Sequence, residues 1–407
     1  MDIKAIAKQN NWKVEKLDKV TFFQEGPGVR EHQYTTNGVK LLNVANLFEG
    51  QLDLSRSERF ISEEEAYGKY SHFLVDEGDL IIACSGIQVD YFHKKMGFAK
   101  KEHLPLCMNT STMRFKTLNE KVLNIEYLAY FLKTDFFKKQ IQKLITGSAQ
   151  LNFGPSHIKK IDILTPPLET QKKIVEVLDK AQGLIDARKE QIKLMDELIQ
   201  SVFYEMFGDI SCNTEFNVKC LQDFSRIGSS KRIYAKEYVS SGIPFYRSKE
   251  IRELGTGKKP SVELYITEDK YKEIKSKYDV PQKGDILIAA IGATIGYRWI
   301  VENNEPFYYK DGNLILISEI ENMDSLYMNY ALEVLIDDFR NTSVSGSAQM
   351  ALTIEKLKIM TMVCPPLELQ SQFGNFVQSV DKLKSKVHNS LDEVQILYDS
   401  MMHKYFE

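Results

Sequence analysis

Cysteine is scarce in this chain of 407 residues: five in all, Cys84, Cys107, Cys212, Cys220 and Cys364, an odd number with no CxxC pair. That excludes a disulfide framework and gives no zinc-site spacing. The seven histidines are scattered and form no HExxH, the pattern a metalloprotease helix needs. Nucleotide loops are missing too, with no GxxxxGK[ST] for ATP and no FxGxG or GxGxxG ahead of a helix for a dinucleotide or S-adenosylmethionine. No run of about 18 apolar residues exists to span a membrane. The N-terminal MDIKAIAKQNNWKVEKL also lacks the apolar core of a secretory signal, so a cytoplasmic protein is the expectation. Nor does one charge dominate: 53 Lys+Arg face 56 Asp+Glu, a net charge of −3. Domains that coat DNA tend to be basic, so any nucleic-acid surface here has to be local.

What the sequence does contain is a repeat. GSAQLNFGPSHIKKIDILTPPLETQ, from Gly147 to Gln171, returns 199 residues later as GSAQMALTIEKLKIMTMVCPPLELQ, from Gly346 to Gln370, with ten of 25 positions identical. A period near 200 is far longer than the roughly 20–50 residues of solenoid repeats, and points to a duplicated domain with an appended element. Upstream segments echo each other more loosely. Trp12 to Leu17 answers Phe216 to Leu221, and Asn37 to Val44 answers Ser241 to Ser248, both at an offset of 204; Gly78-Asp-Leu-Ile-Ile-Ala answers Gly284-Asp-Ile-Leu-Ile-Ala at 206. The drifting offset places insertions in the globular parts and none from GSAQ onward.

After each PPLE comes a heptad seam. Apolar residues fall at Ile174, Leu178, Ala181, Ile185, Ile192, Met195, Ile199, Val202 and Met206, with Arg188 in the one polar seam position. The second copy gives Phe373, Val377, Val380, Val387, Leu391, Val394, Tyr398, Met401 and Tyr405, with Lys384 where Ile185 stood. Pro167 and Pro366 suit a helix start, Glu169 and Glu368 the first turn, and Gly208 a C-terminal cap. Each helix of about 39 residues would be roughly 58 Å long. A rod with one apolar stripe needs a partner, and the nearest is its own copy, giving an intramolecular two-helix coiled coil. Leu168 to Gly208 and Leu367 to Glu407 are both acidic, which leaves 43 basic against 42 acidic residues elsewhere.

The segments before the rods read as α+β heads. Strands are expected at GDLIIA and GDILIA, at MNTSTMRFK from Met108 and at DGNLILIS from Asp311, with Asp79 and Asp285 as turn residues; short helices are expected at Asn124 to Lys133, Ser156 to Lys160 and Ser325 to Phe339. Ile291-Gly-Ala-Thr-Ile-Gly296 reads as a flexible loop. The resulting division is 1–146, a first head; 147–208, a first repeated region with its long helix; 209–345, a second head; and 346–407, a second repeated region with its helix.

Candidate chemistry is confined to polar residues between strands. The first head offers Asn43, Asn46, Ser85, Gln88, Asn109, Thr110 and Ser111; the second offers Arg247, Ser248, Lys249, Thr294, Tyr297, Arg298 and Lys310. Asn, Gln, Arg and Lys side chains suit base edges in the major groove, while Ser, Thr and Lys commonly hold phosphates. Ser148 and Gln150, with Ser347 and Gln349, sit where each head meets its rod, either to contact phosphates or merely to turn the chain. Thr165-Pro-Pro-Leu168 and Cys364-Pro-Pro-Leu367 differ from the Asn/Asp-Pro-Pro-aromatic loop of adenine methyltransferases at both the first and last positions, and are read as helix starts.

Two copies of GSAQ, each some 20 residues ahead of PPLE, Gln171 or Gln370 and a long heptad helix, together with paired Gly-Asp heads, resemble the specificity subunit of type I restriction-modification systems over essentially the whole chain. The usual Glu-Gln after Pro-Pro-Leu is here spread to Glu169-Thr-Gln171 and Glu368-Leu-Gln370. The resemblance implies two target recognition domains, each reading half of a split site in double-stranded DNA, held apart by the two helices as an antiparallel coiled coil, which gives the chain an approximate internal twofold axis. It implies as partners two methylation subunits that carry S-adenosylmethionine and restriction subunits that use ATP and magnesium, leaving this chain non-catalytic and without a cofactor of its own. The competing expectation is a coiled-coil scaffold whose heads bind protein.

Overall fold

Central strands begin at the Gly-Asp pairs, as their turn chemistry requires. In the computed structural model, which describes residues 3–145, 150–210, 215–342 and 351–406, Gly78 and Gly284 take φ of 84° and 95°, a region that glycine enters without steric cost. Asp79 and Asp285 then fold back, each Oδ2 accepting a backbone N–H, from Asp76 at 3.0 Å and from Gln282 at 2.8 Å. The apolar runs Leu80–Ala83 and Ile286–Ala289 follow as wholly buried strands.

The chain divides into two units, Met1–Lys189 with Ser390–Glu407, and Glu190–Asn389. In the first, an antiparallel sheet runs in the order Thr21–Glu25, Thr112–Thr117, Leu80–Ala83, Met96–Phe98. A second sheet sets Val39–Leu42 parallel to Leu106–Met108 on one side and antiparallel to Phe60–Ile61 on the other. A clasp of Lys13–Lys16 with Asp162–Thr165 ties the start of the head to the segment entering the rod. The second unit repeats this strand for strand. Its sheets run Arg226–Gly228, Leu314–Ser318, Ile286–Ala289, Arg298–Ile300, and Tyr265–Ile266, Ile243–Tyr246, Tyr308–Tyr309, with Asn217–Cys220 clasping Thr361–Cys364. Both units are α+β.

Several boundaries differ from expectation. The strand expected from Met108 is two strands in different sheets, Leu106–Met108 and Thr112–Thr117, and the one expected from Asp311 begins only at Leu314 and runs to Ser318, parted by a turn from the preceding strand Tyr308–Tyr309. Both breaks fall at a left-handed residue, Ser111 at φ 73° and Gly312 at φ 71°, which reverses the chain out of the ladder. Ser248–Gly255 is a helix rather than a loop, and Arg298–Ile300 is a strand. Helices at Ile125–Lys133, Pro155–Ile158 and Ser325–Thr342 lie where the apolar spacing placed them, the first capped by Asn124, whose Oδ1 accepts the Tyr127 N–H at 2.7 Å.

The two rods are single helices of 40 residues, Leu168–Phe207 and Leu367–Phe406. Gly208 follows the first at φ 66°, as a C-terminal cap. Within the first unit, the start of the first rod (Ile174, Val175, Leu178) shares a core with the end of the second (Phe406, with Tyr398, Met401 and Tyr405 against it). Within the second unit the roles exchange: Phe203 and Phe207 from the end of the first rod lie 5.4 and 5.6 Å from Phe373 at the start of the second. In each unit, therefore, one rod's end meets the other's beginning, and the pairing is antiparallel. The polar seam positions find polar partners: Arg188 Nε donates to Ser390 Oγ at 3.2 Å, and Lys384 pairs with Asp196 at 2.5 Å.

The glutamine of each PPLExQ explains why that stretch is kept twice. Gln171 is fully buried; its Oε1 accepts the Asn124 N–H at 2.9 Å and its Nε2 donates to the carbonyls of Val122 and Pro166, both at 2.8 Å. Gln370, equally buried, accepts from Asp324 N–H at 2.8 Å and donates to Pro365 O at 2.7 Å. One side chain thus latches rod, proline pair and the head's helix-start loop, satisfying backbone groups whose burial unpaired would be costly.

Candidate nucleic-acid interface

Two parallel strands that end side by side deliver two side chains to one spot. In the first unit Leu42 and Met108 are register partners, so the next residues, Asn43 and Asn109, leave the sheet together. Asn109 N–H donates to Leu42 O at 3.1 Å and its Nδ2 to Asn43 Oδ1 at 3.2 Å. Asn109 Oδ1 accepts from Val29 N–H and Thr110 N–H, at 3.2 and 2.8 Å. The entry to the first of these strands is a glycine turn: Gly38 has φ 119°, and a Cβ there would meet Ile61 O at 2.2 Å.

Around Asn43, Asn109 and Thr110 opens a cleft of about 440 Å³ that also takes in Tyr34, Arg56 and Arg59. The Arg56 guanidinium lies 3.7 Å over the Phe48 ring and that of Arg59 5.3 Å over Tyr34, stacking that orients an arginine without neutralising it. Among the described residues neither pairs with a carboxylate within 4.0 Å. Both arginines went unforeseen in the sequence, although Ser55-Arg-Ser-Glu-Arg59 is a basic stretch between strands. Asn46 does not belong to the cleft surface. It is fully buried, its Oδ1 accepting from Asn43 N–H at 3.0 Å and its Nδ2 donating to Asp53 O at 3.1 Å, so it builds the turn that carries Asn43.

Ser85 and Gln88 gather elsewhere. Ser85 Oγ donates to Asn152 Oδ1 at 2.7 Å, and Gln88 lies in a two-residue strand, Ile87–Gln88, paired with Gln150–Leu151. Phe153 N–H donates to Cys84 O just beyond. The second unit has the same fastening, Leu352 N–H to Ala290 O and an Ile291–Ala351 bridge. Ser148, Ser347 and Gln349 lie outside the described residues.

At the corresponding strand ends of the second unit stand Arg247 and Lys310, following the register partners Tyr246 and Tyr309; Lys310 N–H donates to Tyr246 O at 2.9 Å. The chemistry has changed from amide to cation. Arg247 is bound by Glu250 and Glu263, Lys249 by Glu263, and Arg232 by Asp311. Ser248 and Lys249 sit on the first turn of the Ser248–Gly255 helix, and the Ser248 hydroxyl is buried with no partner among the described residues. Arg298, expected in a loop, is largely buried: its Nη2 donates to Glu333 at 2.6 Å and its Nε to Asn329 O at 2.7 Å, and burial pulls its guanidinium below the usual arginine range. It braces the head from within. Thr294 donates to Ile291 O at 3.2 Å within its own turn, and Tyr297 is exposed beside it.

Among the described residues there is no group of three His, Cys, Asp or Glu disposed to hold a metal, and no helix long and apolar enough to cross a membrane. A pair of topologically identical heads, each with polar side chains at the same strand ends and each joined to a long helix, defines a duplicated recognition module. By sequence the chain belongs to the type I restriction modification DNA specificity domain family, which it matches twice, over residues 9–194 and 213–394. It is similar to a Haemophilus influenzae protein named as a type I restriction enzyme specificity subunit, 29% identical over 66% of this chain and 67% of that one. A specificity subunit of Methanocaldococcus jannaschii is 23% identical over 95% and 90% of the two chains. Among solved structures, the S subunit of the M. genitalium type I system has the same fold, with a TM-score of 0.55 at 15% identity across 98% of this chain and 97% of that one.

Proposed function

We propose that this chain is the non-catalytic, sequence-reading subunit of a type I restriction-modification complex, with the heads at 1–146 and 209–345 each addressing one half of a bipartite site in double-stranded DNA. The observation that carries this reading is the pair of equivalences Asn43 with Arg247 and Asn109 with Lys310 at identical strand ends. Two heads of one topology, one presenting the Asn43 amide held in place by the buried Asn109 and the other presenting cations, would discriminate different bases, since Asn suits adenine and Arg or Lys suits guanine in the major groove. Arg56 and Arg59 in the first head, with Thr110 beside Asn109 and Lys249 two residues beyond Arg247, would serve the phosphates.

The rods supply the second part of the proposal. Their apolar stripe is buried toward the rod ends in each unit, while Leu184 and Leu397 in the first and Leu198 and Leu383 in the second stay about half exposed. A shift of 199 residues converts Leu184 into Leu383 and Leu198 into Leu397. Equivalent exposed leucines on duplicated helices suit two copies of one partner, and we assign them to two methylation subunits. S-adenosylmethionine would be bound by those subunits, and ATP and magnesium by restriction subunits. Coexpression with the methylation subunits, followed by mapping of methylated adenines across a genome, tests the reading: an interrupted motif with a gap of constant length supports it, and a continuous motif or none overturns it.

A further inference from the structure

The second head holds a guanidinium in a pose that leaves one edge reserved. Glu250 is fully buried, and its carboxylate is spent on Arg247: Oε2 accepts the Arg247 backbone N–H at 2.8 Å and Nε at 3.3 Å, and Oε1 accepts Nη2 at 2.9 Å. This bidentate grip takes the Nε–Nη2 edge and fixes the plane of the guanidinium, as a fork-on-fork pair does. The other edge, Nη1 with the second proton of Nη2, carries one contact among the described residues, Nη2 to Glu263 Oε2 at 2.9 Å. Glu263 differs from Glu250 in being more than half exposed, and its remaining oxygen accepts from Lys249 Nζ at 2.6 Å. With two cations on it, its carboxyl is held at about 2, so it stays an anion at neutral pH.

We propose that Arg247 reads a guanine in the half-site of the second head, with Glu250 as its positioning residue and Glu263 as an internal anion that covers the reading edge until DNA displaces it. This rests on the function proposed above and deepens it. Guanine presents O6 and N7 as two adjacent acceptors in the major groove, the geometry an Nη1–Nη2 edge matches. Displacing Glu263 releases Lys249 at the same moment, and the ammonium is then free for a phosphate. A surface in which the cations are tied up by a mobile carboxylate discriminates against non-specific DNA, because the carboxylate is given up only where the base replaces its hydrogen bond. The buried partner stays in place throughout, which preserves the guanidinium plane.

The experiment uses the whole chain assembled with its methylation subunits and reads the methylated motif together with affinity for a DNA duplex carrying the mapped site. Arg247→Lys keeps a cation against Glu250 but loses the planar fork, and should relax preference at one guanine of one half-site by roughly tenfold to a hundredfold, leaving the other half-site unchanged. Glu263→Gln should keep the motif, tighten binding several-fold at low salt and steepen the fall of affinity with salt, as one more phosphate contact does. The double variant Arg247→Met with Glu250→Gln removes both halves of the buried pair, so a motif is obtained even if the lysine variant fails to assemble. A motif unchanged at every position in that double variant overturns the assignment, as does weaker binding by Glu263→Gln. A wild-type complex with no bipartite motif sinks the proposed function instead.

Discussion

The ring of Phe406 lies 5.2 Å from that of Tyr127, so the last turn of the second rod is part of the core of the first head. Phe207 and Tyr327 repeat the contact at 4.6 Å in the other unit. Each tyrosine also donates its hydroxyl to the strand leading into a rod, Tyr127 to Leu164 O at 3.2 Å and Tyr327 to Val363 O at 2.8 Å. The rods are therefore anchored at their ends by aromatic packing, while Ile192 and Met195, or Leu391 and Val394, are only half-buried along the middle. Phe406→Ala, which opens a cavity in a fully buried site, should cost about 3–5 kcal/mol. Thermal unfolding of the full chain should show the loss, and a change within 1 kcal/mol would mean that the end of the rod bears no part of the head's stability.

Gln171 makes a sharper demand because its value lies in hydrogen bonds. Gln171→Leu keeps the volume but strands the Asn124 N–H and two carbonyls in the interior, which should cost about 2–4 kcal/mol. Gln370→Leu should do the same in the second unit, whose latch uses Asp324 and Pro365. Denaturant unfolding of each variant reads the effect; if both match wild type, the repeated glutamine has another purpose.

These latches show which features sequence pattern reveals. Heptad spacing exposed the rods because a helix must bury a stripe every 3.6 residues, and it missed Phe203, Phe207 and Phe406 because at the rod ends the covering surface is a head, which widens the buried face beyond the seam. The Gly-Asp strands were legible from turn chemistry alone. Of the candidate positions, Asn43, Asn109, Arg247 and Lys310, all polar residues just past apolar runs, come together at the paired strand ends. Arg298 and Asn46 lie buried instead, held by Glu333 and by the turn closed at Asp53, contacts that local sequence does not encode. Arg56 and Arg59 escaped notice because their orientation comes from Phe48 and Tyr34, contacts that no local spacing encodes.

Asp285 and Asp79 occupy equivalent turns, but Asp79 has Arg114 and Lys116 both at 3.3 Å, whereas Leu316 stands at the position of Arg114 in the second sheet. Burial pushes the Asp285 carboxyl up to about 6; the Gln282 N–H opposes this, and the carboxylates of Glu319 and Asp279 add to it. A folded-state value above the ordinary 3.8 means that the folded chain holds the proton more tightly. Its contribution is therefore complete below pH 4 and lost as pH rises through 6, by about 1–2 kcal/mol once solvent screening is allowed for. Asp285→Asn should remove that dependence, so its stability relative to wild type should improve between pH 4.5 and 7. A gap that stays constant over this range would count against the assignment.

If the exposed leucines hold the methylation subunits, charge at those positions should block assembly without unfolding the chain. Leu184→Glu with Leu383→Glu alters equivalent positions on the two rods, both about half exposed, and should leave stability within about 0.5 kcal/mol. Copurification with the methylation subunits should fall at least tenfold, since burying an unpaired carboxylate in an interface costs several kcal/mol. Undiminished copurification would move the docking surface elsewhere on the chain.

The most demanding consequence concerns length. If helices that pair antiparallel and are anchored at their ends by Phe207 and Phe406 act as struts, the gap between the two halves of the recognised sequence should follow their length. Four residues inserted at matched places, after Lys189 and before Ser390, add roughly 6 Å to each rod, close to two base pairs at about 3.4 Å each. They also rotate the seam by about 40° relative to a 3.6-residue turn, whereas seven residues nearly restore it and add about 10.5 Å, or three base pairs. The four-residue variant should therefore lengthen the methylated motif's gap with some loss of efficiency, and the seven-residue variant should lengthen it further with less loss. A gap that remains at its wild-type value in both would show that the spacing is set within the heads, and the rods would then serve assembly alone.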